Sequence, residues 1–236
     1  MPRGSRLIVL GPVKLPMVIA VLGACIGAAS IAGAVTARSG APALLQAGML
    51  VTPAVWSGQL WRLVTFPLFE VHPLSLLFTW LALFWFGSDL VKQWGARRFL
   101  AIFFGLAAAM GAVTALVGLV WRAVALMPHA GSGPVLDALI VAWGLIHPGR
   151  EIRLFGLFRL TGRWIARLTI GGTVLWALFE GFAYFVPHFA GELMALVWLV
   201  VVQPARARRA ERLQALAARG EAWSFDRWYQ KNARRR

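Results

Sequence analysis

Ser132 stands between two glycines in Pro128-His129-Ala130-Gly131-Ser132-Gly133-Pro134, at the head of the apolar run Val135 to Ile146. Far downstream, Pro187-His188-Phe189-Ala190-Gly191-Glu192 heads another apolar run. A serine hydroxyl is a weak nucleophile until a neighbouring base takes its proton, and imidazole suits that task near neutral pH. Ser132 and His188 therefore form a candidate dyad. Gly133 and Gly191 leave room for the two helices that carry them to approach closely. Taken singly, Ser132 also reads as a packing residue and His188 as an interfacial cap. A dyad lacks the third group that usually orients the ring. Glu192 follows His188 by four residues and shares its helix face, so it could supply that group, or it could pair with Asp137 for structure alone. Cys25 reads as a small apolar filler, and His72 and His129 as polar residues at the membrane interface, with His129 a further possible oxyanion donor.

The elements that must carry these residues are membrane helices. The chain has 236 residues, 59% of them hydrophobic and only 14% charged. The charges cluster between long apolar runs that do not alternate, which predicts an all-α polytopic membrane protein and argues against a β-barrel. Six spans are expected, near 15–36, 74–90, 99–121, 131–146, 168–185 and 188–202. They make a membrane domain over 15–203, with an interfacial stretch at 37–73 rich in Trp, Pro and Gly. The first apolar run is longer than a signal-peptide core and is taken as a retained helix. Residues 1–14 form a basic N-terminal segment, and 204–236 a basic, helix-prone tail suited to anionic lipid.

The net charge of +15 follows from topology and is not read as a nucleic-acid footprint. Six spans put both termini on one side with the links at 91–98 and 147–167. Only Arg38, Arg62 and Arg122 of the 24 basic residues fall on the other side. Both termini are therefore expected to be cytoplasmic, and Ser132 and His188 to lie near the outer face. A bacterial inner membrane is the expected location. Oligomeric state is not legible.

The order of several motifs resembles the rhomboid family. Gly58-Gln59-Leu60-Trp61-Arg62-Leu63-Val64-Thr65 is similar to its interfacial Trp-Arg segment. Leu76-Leu77-Phe78 and Val91-Lys92-Gln93-Trp94-Gly95-Ala96-Arg97-Arg98-Phe99 are similar to its second helix and the turn into the third. Ala130-Gly131-Ser132-Gly133 resembles Gly-x-Ser-Gly, and His188-Phe189-Ala190-Gly191 resembles His-x-x-Gly. The resemblance spans about residues 51–202 and implies a six-helix rhomboid-like bundle. It also implies a serine endopeptidase that cleaves transmembrane protein substrates near the outer membrane face. The second-helix His-x-x-x-Asn pair that assists the oxyanion in that family is replaced by Ser75 and Thr79, Ala130 stands for the first glycine of its serine motif, and Ala195 stands where a second glycine often follows. Ser75, Thr79, Gly133 and Glu192 are then the supporting residues, with backbone N–H groups near Ser132 as remaining oxyanion donors. The alternative is a catalytically inactive rhomboid-like protein that binds transmembrane segments. A proton-coupled transporter using Asp137, Glu180 and Glu192 is a third class, without the internal repeats such folds show. No metal or cofactor is expected, since no ligand-spaced cluster is present. The partners expected are a transmembrane substrate and membrane lipid.

Overall fold

The computed structural model describes residues 7–10, 13–154 and 158–199. The basic tail at 204–236 and most of the N-terminal segment lie outside the described residues, as does the end of the sixth expected span. Two units divide the chain, Met1–Ala195 and Leu196–Arg236, and the site belongs to the first.

A short antiparallel hairpin, β1 (Leu7–Leu10) and β2 (Val13–Pro16), precedes α1 (Met17–Arg38). Short helices follow: α2 (Ala43–Gly48), α3 (Thr52–Trp56) and α4 (Arg62–Thr65), with a 3-10 turn at Phe66–Leu68. Next come α5 (Pro73–Ala82), a π-helical segment (Leu83–Gly87) and α6 (Ser88–Trp94), which together form one continuous helical rod. The longest helix among the described residues is α7 (Ala96–Val120), followed by the short α8 (Arg122–Leu126) and by α9 (Gly133–Ile146). A second hairpin, β3 (Glu151–Leu154) and β4 (Phe158–Thr161), leads into α10 (Gly162–Glu180) and α11 (Val186–Val197). Prolines open α5, α9 and α11 within the first turn, where a missing N–H costs no helix hydrogen bond. Gly95, at φ +80°, ends the second rod and lets α7 turn back.

Among the described residues, three helical rods are long and apolar enough to cross a membrane: Met17–Arg38, Pro73–Trp94 and Ala96–Val120. The helices at the fourth and fifth expected spans do not meet that standard, and the sixth ends outside the described residues. Helix α9 has 14 residues, about 21 Å at 1.5 Å per residue, against a hydrocarbon core of about 30 Å. Helix α10 carries Arg163, Arg167 and an exposed Glu180. Among the described residues, helices stand at all six expected positions, and three of them have the length and composition of a span.

The stretch from 37 to 73 is folded onto the bundle. The Arg62 side chain donates to the carbonyls of Gln46 and Met49 and to the Gln59 side chain, which ties α4 to the end of α2. Trp56 Nε1 donates to the Ala115 carbonyl of α7 at 3.2 Å, and the Gly131 N–H donates to the Phe66 carbonyl at 3.0 Å. Trp80 reaches across from α5 and donates to the Gly23 carbonyl of α1 at 3.0 Å. The core between these elements is built of Phe66, Phe99, Phe103, Met110, Leu139 and Trp143, all essentially buried. Cys25 is exposed on α1 and does not fill the core. An apolar side chain on the outer face of a membrane helix loses nothing by facing lipid.

Candidate functional site

Ser132 is the N-cap of α9 and is wholly buried. Its hydroxyl donates to Glu70 Oε1 at 2.6 Å, and its backbone N–H donates to the same oxygen at 2.8 Å. Thr79 Oγ1, from α5, lies 2.8 Å from that oxygen and 2.9 Å from Ser132 Oγ. One carboxylate oxygen thus collects the donors that surround the serine. Contacts of this kind are charge-assisted and short.

Glu70 is buried and is fixed from behind. Its N–H donates to Ser30 Oγ of α1 at 2.8 Å, and Ser30 in turn donates to the Ile26 carbonyl at 2.7 Å. Gly131 has φ +107°, a conformation costly for any residue with a Cβ, and a Cβ built there would fall 3.0 Å from Glu70 Oε2. The turn before Ser132 is therefore shaped to admit the carboxylate.

His188 sits in the first turn of α11. Its Nδ1 lies 2.7 Å from Asp137 Oδ2 of α9, both groups being partly exposed. A carboxylate at this distance fixes the ring and favours an N–H on Nδ1, which leaves Nε2 as the basic nitrogen. The ring lies against Gly133, where a Cβ would meet Cε1 at 3.1 Å and Nε2 at 3.8 Å. Gly133 and His188 are thus brought together, and so are Ser132 and Thr79. No hydrogen bond joins Ser132 to His188 among the described residues, because the serine hydrogen goes to Glu70 and the Nδ1 bond to Asp137.

Ser75 and Glu192 lie near these groups but hydrogen-bond to neither Ser132 nor His188 among the described residues. The Ser75 hydroxyl donates to the His72 carbonyl at 2.8 Å, a local helix-start bond, and Ser75 lines the same cleft as Glu70, Thr79 and His188. Glu192 is buried and accepts from Thr173 Oγ1 of α10 at 2.6 Å. The residue facing the His188 ring is Asp137. His129 is buried within the protein, and its backbone pairs with Leu50 in an isolated bridge. The His129 Nε2 has no partner among the described residues, and its ring lies 5.9 Å from that of Tyr184. Burial pushes its pKa down to about 4; the Tyr184 carbonyl opposes this and His188 adds to it.

Glu70 lies outside the long apolar runs, where an acid carries no desolvation signal in the sequence. Its signal is nevertheless present: a lone acid between Phe69 and Val71, nine residues before Thr79.

A cleft of about 720 Å³ opens beside these groups, between α5, α9 and α10. Its polar end is formed by Glu70, Thr79, Asp137 and His188. Its walls are apolar and include Phe78, Ile140, Leu168 and Trp176.

A family described as eukaryotic integral membrane protein (DUF1751) matches residues 17–235. The chain belongs to this family. It is an integral membrane protein, and the family's description does not support the bacterial inner membrane expected above. No curated protein matches the chain.

Proposed function

We propose that this family member is a rhomboid-like membrane protein that holds transmembrane segments in its cleft and does not cleave them. The observation that carries this is the Glu70 carboxylate beside Ser132. Acyl transfer develops negative charge on a substrate oxygen, which needs donors aimed at it. Here the Ser132 N–H and the Thr79 hydroxyl already face an anion. Two like charges about 4 Å apart repel by about 4 kcal/mol at an effective dielectric of about 20. That is about a thousandfold in rate. The Ser132 proton is also directed away from His188. The polar end of the cleft suits the backbone of a locally unwound helix, and the apolar walls suit its side chains. The topology proposed with this reading puts both termini in the cytoplasm.

A second reading is an intramembrane serine protease held in a resting state. One observation favours it: Asp137 orients His188 as the third member of a triad would.

The test is a fluorescent single-span peptide reconstituted with the protein in nanodiscs. The proposal predicts saturable binding without cleavage, weakened about tenfold by Ile140→Trp, which fills the cleft. Cleavage that requires Ser132 would favour the second reading, and binding unaffected by Ile140→Trp would rule out the cleft.

A further inference from the structure

A second pocket, of about 330 Å³, lies toward the C-terminal end of α9, away from Ser132, against α6 and the start of β3. It shares Trp85 with the wall of the cleft described above but none of that cleft's polar groups. Phe84 and Trp85 form an aromatic wall, and Ser88, Lys92, Arg150 and Glu151 supply polar groups. The π-helical segment ends immediately before Ser88; such widened turns often mark functional positions.

Two charges in this pocket are already used. Arg150 binds Asp89 at 2.7 Å and lies over the Trp143 ring at 5.8 Å. Asp89 also accepts from Trp143 Nε1 at 2.7 Å. Lys92 and Glu151 remain, both exposed and in no ion pair among the described residues. The Ser88 hydroxyl is buried, lines the pocket and has no hydrogen-bond partner among the described residues. A buried hydroxyl without a partner is costly, and a ligand acceptor would relieve it.

We infer that this pocket binds the headgroup of a zwitterionic phospholipid with a primary amine. The phosphate meets Lys92 and Ser88, the amine meets Glu151, and the glycerol and first methylenes lie against Phe84 and Trp85. The pocket stands where a membrane-spanning rod ends in basic sequence, at Lys92, Arg97 and Arg98. Aromatic and basic residues at such a level mark the headgroup region. Among the described residues, the lining carries one charge of each sign outside an ion pair, which suits a zwitterion. A polyanionic headgroup would meet Glu151 with like charge.

The experiment is native mass spectrometry of the full chain in mild detergent, titrated with phosphatidylethanolamine, phosphatidylcholine and phosphatidylglycerol of identical acyl chains. Phosphatidylethanolamine should bind severalfold more tightly than the other two. Lys92→Glu should weaken it at least fivefold, with Lys92→Gln as a milder check on folding, and Glu151→Gln should remove its preference over phosphatidylcholine. Equal binding of the three lipids, or phosphatidylethanolamine binding unchanged in Lys92→Glu, overturns the proposal. Phosphoethanolamine alone should bind far more weakly than the lipid. Binding as tight as the lipid's would mean a site for a soluble phosphate and would overturn it too.

Discussion

Ser132 Oγ donates to Glu70 Oε1 at 2.6 Å, across 62 positions of sequence, while His188 Nδ1 is held 2.7 Å from Asp137. The two halves of a would-be dyad therefore have different partners. A buried carboxylate that accepts the serine hydroxyl, the serine N–H and the Thr79 hydroxyl is a structural joint between the interfacial stretch, α5 and α9.

That joint predicts a stability effect. Glu70→Gln keeps the shape but removes the charge from three contacts, and should lower unfolding free energy by about 2 kcal/mol. Thermal or denaturant unfolding in detergent measures this. A variant as stable as the parent would mean that Glu70 holds nothing together.

His129 predicts a pH effect whose sign follows from its depressed pKa. The free side chain titrates near 6.5, and in the folded protein near 4. Between those values the unfolded chain binds more protons, so stability present above about pH 6.5 is lost as pH falls toward 4. The full loss is roughly 3 kcal/mol. His129→Leu should flatten the stability profile between pH 4 and 6.5, measured by unfolding at several pH values. An unchanged slope would place the titration elsewhere.

Much of this was legible in the sequence, and the rest was not for a physical reason. Helix order followed from apolar runs and proline starts, and the approach of His188 to Gly133 from the small residues beside each motif. The position of Thr79 beside Ser132 followed from the rhomboid resemblance. The acids resisted because spacing within one helix identifies faces but not partners. Glu192 shares a face with His188 by its four-residue offset, and its hydrogen-bond donor is Thr173 of α10. Asp137 reaches the ring from another helix. Glu70 is placed by the path of several short helices, which depends on long-range bonds such as Arg62 to Met49 and Gly131 to Phe66.

Glu192 predicts a partner-specific loss. Thr173→Val preserves shape and removes the donor, leaving a buried carboxyl group without that hydrogen bond, at a cost of about 1–3 kcal/mol. Thr173→Ser should retain most of the stability. Equal stability of the Val and Ser variants, by denaturant titration, would show that the Thr173 hydroxyl contributes nothing.

The most direct measurement is the labelling rate of Ser132 by a fluorophosphonate serine probe in the intact protein, in Ser132→Ala and in Glu70→Gln. If the carboxylate blocks the oxyanion position, the intact protein should label no faster than Ser132→Ala. Glu70→Gln, which replaces the negative charge with an amide that can donate, should then label at least tenfold faster at Ser132. Rapid Ser132-dependent labelling of the intact protein, slowed by Glu70→Gln, would contradict this and make Glu70 part of a working site.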